Sequence, residues 1–195
     1  DGVSLTAITP YNILINHEGK RFVDEGHASI NFKSRAMMKQ TGHEAYAVVD
    51  QTAMDNLKIM RNYAAAGYFV KANTVEELAS KLKVDQKAFV KTMKDYMAAC
   101  KAGKDPEFNR KIQHPIAKAP FYASLVTPSM QSTYGGIKTD EKAQALGTDN
   151  RPIPGLYAAG ATSGHEAYAN EVGFAAIIGL VYGKIAGENA AAYAK

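Results

Sequence analysis

The amino-acid sequence predicts an α+β chain: strands at the start, a helical lobe in the middle, then a return to strand, glycine-rich loop and helix. Three observations carry this. Apolar runs of strand length stand at residues 11–16 (YNILIN) and 45–50 (AYAVVD). Helix start signals with helical periodicity behind them fill the middle. Near the end, PIPGLYAAGATSGHEAYANEVGFAAIIGLVYGKIAG places an apolar run, small residues and a long apolar helical pattern in succession.

In chain order, 11–16 reads as a strand that enters a hairpin through HEGK and returns over Arg21 to Val23. Met37 and Met38 fall in a helix that stops at Gly42, and 45–50 is a second, buried strand. Thr74 and Glu77 have capping-box spacing, and Asp85 caps a helix that ends around Gly103 and turns Phe89, Met93, Tyr96 and Met97 to a core. Residues 105–118 are polar and irregular, a boundary by composition. PFYASLVTP and STYGGIKTD read as extended segments around a Gly-Gly pair. Residues 156–159 read as a buried strand ending at Gly160, and Val172, Ala176, Leu180 and Ile185 mark the last helix.

The chain's 195 residues, 46% of them apolar, can bury a substantial core as one domain or two modest ones. Its net charge of +4 is mild and its lysines are scattered, so no nucleic-acid partner is expected. No stretch reaches the apolar length of a membrane span, and the first residues lack the regions of a signal peptide. A single cysteine, Cys100, excludes an internal disulfide, reads as a packed thiol and leaves the compartment open. His17, His27, His43 and His114 show no ligand spacing, so no metal is assigned.

The pieces NHEGKRFVDE (16–25), QTGHEAYAVVD (40–50), APFYASLVTP (119–128), TYGGIKTDEKAQAL (133–146) and IPGLYAAG with NEVGFAAIIGLVYGKIAGENAA are collinear with one family. They resemble the flavoprotein subunits of fumarate reductase and succinate dehydrogenase, above all the single-chain soluble fumarate reductases. The resemblance implies an FAD-binding α/β domain with an α+β capping domain inserted in it. No GxGxxG is present, so the chain resembles the C-terminal half of a longer protein: 1–19 a segment of the FAD domain, 20–118 the cap, 119–195 the C-terminal part of the FAD domain. The partners implied are the missing N-terminal half, a small-molecule substrate and an electron-donor domain or protein.

By the same resemblance Gly160 and Ala161 lie beside the ribityl and phosphate portion of FAD. Gly173, Phe174, Ala175 and Ala176 form the helix start aimed at the flavin's pyrimidine edge, where backbone N–H groups stabilise negative charge on the reduced ring. The family's acid, an Arg beyond the hairpin, falls on Ser29 or Ile30, and the nearest Arg is Arg35. The usual proton relay falls on Leu5 and Ile8. Where the family has TPGVHHTMGG, this chain has TPSMQSTYGG, which sets Gln131 and Ser132 at the two His positions and Tyr134 at the Met. Where it has GANRLGGNA, this chain has YANEVGFAA, so Asn170 keeps its place and Glu171 replaces the Arg that grips a substrate carboxylate. Like charges in a desolvated pocket repel by several kcal/mol, so a dicarboxylate is not the expected substrate.

His165 lies in the same loop and joins the candidate substrate contacts. Tyr134 and Arg35 are the candidate proton donors. Structural readings stand beside these: Glu171 as a solvent-facing carboxylate at a helix start, Tyr134 as a core aromatic, His165 as an exposed loop side chain. The expected function is an FAD-dependent oxidoreductase of carbon–carbon bonds next to an activating group. The alternative is a non-catalytic flavin-binding module or a fragment of a larger flavoprotein.

Overall fold

The computed structural model describes residues 2–129, 135–164 and 174–195. The chain divides into two compact units, residues 1–128 and 129–195.

The first unit runs α1 (Leu5–Ile8), β1 (Ile13–Ile15), α2 (Ile30–Met37), a 3-10 turn (Thr41–His43), β2 (Ala45–Asp50), α3 (Gln51–Asn56), α4 (Lys58–Ala65), β3 (Val70–Ala72), α5 (Val75–Lys81), α6 (Gln86–Ala102) and β4 (Phe121–Val126). Its strands form one antiparallel sheet in the order β1-β2-β4-β3, with Leu14 opposite Ala47 and Val48 opposite Ala123. Helices cover both faces, which explains why AYAVVD lacks the polar alternation of a half-exposed strand. One face carries Ile13, Ile15, Tyr46, Val48 and Phe121 against Val75, Leu78, Phe89, Met93 and Tyr96 of α5 and α6. The other carries Leu14, Ala45, Ala47, Val49 and Tyr122 against Ile8, Met37, Ala53, Met54 and Met60.

The caps act where the residues suggest. Thr74 accepts a bond from the Glu77 amide at 3.0 Å, while the Glu77 carboxylate reaches the Asn73 amide rather than that of Thr74. Asp85 accepts from the Ala88 amide at 3.0 Å, and Gly103 ends α6 in the left-handed conformation at φ 70°. Phe89, Met93 and Tyr96 are buried as expected, with Met97 packed at the edge of the same cluster. The return arm of the first hairpin is less regular than its sequence suggests, reduced to a single bridge between Ile15 and Arg21. Gly19, at φ 70°, brings the turn so close to α6 that a Cβ there would lie 2.5 Å from the Phe89 nitrogen.

The second unit contains β5 (Gln144–Leu146) and β6 (Pro152–Tyr157) paired antiparallel, a 3-10 turn (Gly160–Thr162) and α7 (Phe174–Tyr193). The strand expected at 156–159 begins earlier and is mostly exposed, its one strand partner among the described residues being β5; Leu156 is 45% exposed, and in that run Ala158 is the buried residue. The Tyr157 hydroxyl donates to the Asn189 carbonyl at 3.2 Å, which ties β6 to the end of α7.

Candidate functional site

Gly136 explains half of the Gly-Gly pair. Ile137 donates to the Thr162 carbonyl at 2.8 Å and Gly164 donates to the Ile137 carbonyl at 3.0 Å, so the two segments run side by side. A Cβ on Gly136 would stand 2.5 Å from the Thr162 oxygen, so no larger residue fits. Gly135 has no such neighbour within 4 Å of a Cβ position. Packing among the described residues therefore accounts for Gly136 but not for Gly135.

Gly160 sits at φ 68° in the turn after β6, and a Cβ there would contact the α carbon of Gly179 at 3.7 Å. Turn and helix backbones thus approach closely. Ala159 is half-buried and Ala161 exposed beside that contact, so small side chains leave this backbone accessible. A cofactor that lies directly on backbone fits such a surface, and FAD is of that kind. Phe174 and Ala175 open α7, and Ala176 is exposed in its first turn. Gln131, Ser132, Tyr134, His165, Asn170, Glu171 and Gly173 lie outside the described residues.

In the first unit, Ser29 is the N-cap of α2; its hydroxyl accepts from the Phe32 amide at 3.3 Å. Ile30 is 40% exposed, and Arg35 is exposed in the last turn, where its charge suits the helix dipole. Ile8, set by the resemblance against a relay residue, is fully buried in the core with Leu5 packed beside it. These two positions are apolar packing.

A cluster of buried charge went unforeseen. Glu25, with no exposed surface, accepts from the Leu14 amide, from Arg21 at 2.7 Å and 3.0 Å, and from Arg110 at 2.8 Å. Asp105 accepts from both terminal nitrogens of Arg21 at 2.8 Å and 3.1 Å, and Arg110 also donates to the carbonyls of Asn12 and Pro10. Burial raises the Asp105 pKa, but the bonds and charge of Arg21 outweigh it and hold the carboxyl below its usual range. Burial lowers the pKa of Lys33, and neighbouring Arg110 lowers it further; its ammonium donates to the Glu25 carbonyl at 3.3 Å. The cluster pins the polar stretch after α6 to the first hairpin. The signal was the Arg and Glu of KRFVDE, four apart in a segment with no helix to place them on a surface. Burial raises the Cys100 thiol above its ordinary value, in keeping with a packed, inert side chain.

Among the described residues no group of His, Cys, Asp and Glu is arranged to hold a metal, and no helix is long and apolar enough to cross a membrane.

The model of the FAD binding domain family matches residues 8–173. A cytochrome-type fumarate reductase of Shewanella frigidimarina is 35% identical over 198 aligned residues, covering 100% of this chain and 34% of that protein. A urocanate reductase of Eggerthella lenta is 36% identical, covering 93% of this chain and 31% of that protein. The open conformation of a flavocytochrome c3 fumarate reductase superposes with a TM-score of 0.88 at 32% identity, covering 98% of this chain and 34% of the other. The chain thus spans about a third of the length of the curated relatives it matches. A family model matched over most of the sequence, and similarity to fumarate reductases along all of it, show that this chain belongs to the FAD binding domain family, among the fumarate reductase-like flavoproteins.

Proposed function

We propose that the protein carrying this chain is an FAD-dependent oxidoreductase that reduces or forms a carbon–carbon double bond next to an activating group, and that its substrate is not a dicarboxylate. The observation that carries the reading is the similarity along the whole chain to reductases of fumarate and of urocanate, two acids with an activated double bond. The restriction on substrate rests on Glu171, Gln131 and Ser132, which stand where the family places an Arg and two His. Bound FAD supplies hydride exchange at the carbon–carbon bond. The chain's own part is to hold the cofactor along Gly160, Ala161 and the start of α7 from Gly173 to Ala176. Its other part is to orient the substrate with Gln131, Ser132, His165, Asn170 and Glu171 and to deliver a proton from Tyr134 or Arg35.

In this reading residues 20–118 form a cap, 1–19 and 119–195 belong to the FAD-binding domain, and an N-terminal half completes that domain. Because Ile13–Ile15 and Phe121–Val126 pair in one sheet with β2 and β3, we draw the two crossings just outside those strands rather than at 19 and 118. The exposed apolar side chains Ile177, Leu180 and Val181 of α7 fit coverage by the absent half. An electron-donor domain or protein completes the cycle.

The test is reoxidation of reduced flavin in the full-length protein by a panel of enoates. Turnover with a monocarboxylate or enone, fumarate remaining inert, is expected; rapid fumarate reduction would overturn the substrate reading. Glu171→Arg with Ser132→His should admit fumarate binding while turnover stays poor, because Ser29 caps a helix. A second reading, a flavin-binding module without catalysis, is favoured by the burial of Ile8 at a relay position. Silence across the whole panel would support it.

A further inference from the structure

We propose that His17 is a proton-operated clamp that holds the first hairpin turn to the connection between α5 and α6, closed while its ring donates from both nitrogens and released when the proton is lost. The argument begins with the acceptors. Nδ1 lies 2.5 Å from the Lys83 carbonyl oxygen, and Nε2 lies 2.8 Å from Oε1 of Glu44. A carbonyl has no proton to give, so Nδ1 carries one; an ionised Glu44 has none either, so Nε2 carries the second. A neutral ring makes one of these contacts; the one to the ionised Glu44 is the stronger, so the proton stays on Nε2 and Nδ1 turns a lone pair on the Lys83 carbonyl.

The clamp joins three pieces of the first unit. The His17 carbonyl accepts from the Asp85 amide at 2.8 Å, so backbone and ring of one residue grip both ends of the 83–85 connection. Two residues on, the Gly19 carbonyl accepts from the Thr92 hydroxyl at 2.6 Å, next to the close approach of Gly19 to Phe89. Tyr46 presents its ring edgewise to His17, with centroids 5.7 Å apart, and its hydroxyl accepts from the Lys83 amide at 3.2 Å. Glu44 precedes β2, so the imidazolium links the turn to the sheet as well as to the helices.

The charged side chains on these segments are Glu18 and Lys20 on the turn, Glu44 before β2, and Lys83 and Asp85 in the connection. The bond to the Lys83 carbonyl raises the His17 pKa, burial draws it back, and Glu44 and Glu18 raise it again, leaving it above 6.5. A group whose pKa is higher folded than unfolded contributes stability in full below its unfolded value and loses it as pH rises through the folded one. The clamp is therefore closed below about 6.5 and opens as pH rises through the higher, folded value. Release frees one side of the 83–85 connection and loosens the turn from the first residues of α6.

The experiment is nitrogen NMR of the imidazole rings in the 195-residue chain across neutral pH, with amide hydrogen exchange in parallel. Both His17 nitrogens should show the protonated signature with a midpoint above about 6.5, and Glu44→Gln should lower that midpoint by about half to one unit. Exchange at Asp85 and Phe89 should rise through the same window beyond its intrinsic pH dependence, and His17→Gln should remove that step. A wild-type midpoint at or below about 6.5 overturns the clamp, as does an unchanged midpoint in Glu44→Gln; both readings stand even where His17→Gln does not fold.

Discussion

The two compact units treat apolar surface in opposite ways. In residues 1–128 the sheet is covered on both faces, and its largest apolar side chains, such as Phe89, Met93 and Ile13, have no exposed surface. In residues 129–195 a 20-residue helix with apolar residues around its whole girth leaves Leu180 76%, Ile177 57% and Val181 51% exposed. A helix apolar on all sides belongs inside a larger body. The first unit buries most of the large apolar side chains of its strands and helices, and the second leaves several of α7's on the surface. This agrees with a chain one third the length of its relatives.

The most severe test of that contrast is the buried charge cluster. Glu25→Ala removes the carboxylate shared by Arg21 and Arg110; Arg21 keeps Asp105 and, at 3.5 Å, Glu107, while the buried Arg110 guanidinium is left on the carbonyls of Asn12 and Pro10. The expected loss is about 3–5 kcal/mol, read as a shift of the urea midpoint of the first unit. A loss below about 1 kcal/mol would mean that water reaches the cluster and that the first unit is less complete than its burial indicates.

Glycines sharpen the comparison next. Gly19 and Gly67 both lie at positive φ, 70° and 79°, but a Cβ meets backbone at 2.5 Å on Gly19 and nothing within 4 Å on Gly67. Gly67→Ala should cost about 1–2 kcal/mol, the left-handed penalty alone. Gly19→Ala should cost clearly more, since α6 must also move. Equal melting temperatures for the two variants would show that the turn is not pressed on α6 in solution.

Much of the first unit was legible because short-range chemistry decided it. AYAVVD announced a buried strand, Thr74 and Asp85 announced helix starts, and Gly103 announced a stop; each rests on neighbours within a few residues. Beyond the local Arg21–Glu25 pair the charge cluster was not legible, because Arg21 and Asp105 meet across 84 positions of chain. Polar composition in 105–118 suggested a solvated boundary, whereas Asp105 and Arg110 are buried there and Ile116 joins the core. At the candidate site the reason for Gly136 became visible only when Thr162 and Ser163 were found against it. The substrate, proton-donor and cofactor positions from Gln131 to Tyr134 and from His165 to Gly173 rest on the resemblance alone.

Thr74→Ala probes the first unit more gently. The hydroxyl satisfies one amide of α5, so its loss should cost about 1 kcal/mol by thermal unfolding, as for other helix caps. Glu77 should hold part of that end in place, since its carboxylate bonds the Asn73 amide independently at 2.8 Å. A cost near zero would assign the start of α5 to packing of Val75 and Leu78 rather than to its cap.

The smallest effect is expected in the second unit, and there the smallness is informative. Leu180 is 76% exposed, so Leu180→Ser removes little buried surface from this chain and should change its stability by no more than about 0.5 kcal/mol. In the longer protein proposed above, the same substitution should cost about 2 kcal/mol or more, because a Leu side chain covered by a neighbour contributes on that scale and a hydroxyl in its place adds a desolvated polar group. Denaturant titrations of the variant in both lengths of chain measure the difference directly. Equal, small losses in both would leave the apolar girth of α7 without a partner in the absent half, and the contrast between the two units would then be a property of the protein itself rather than of the segment.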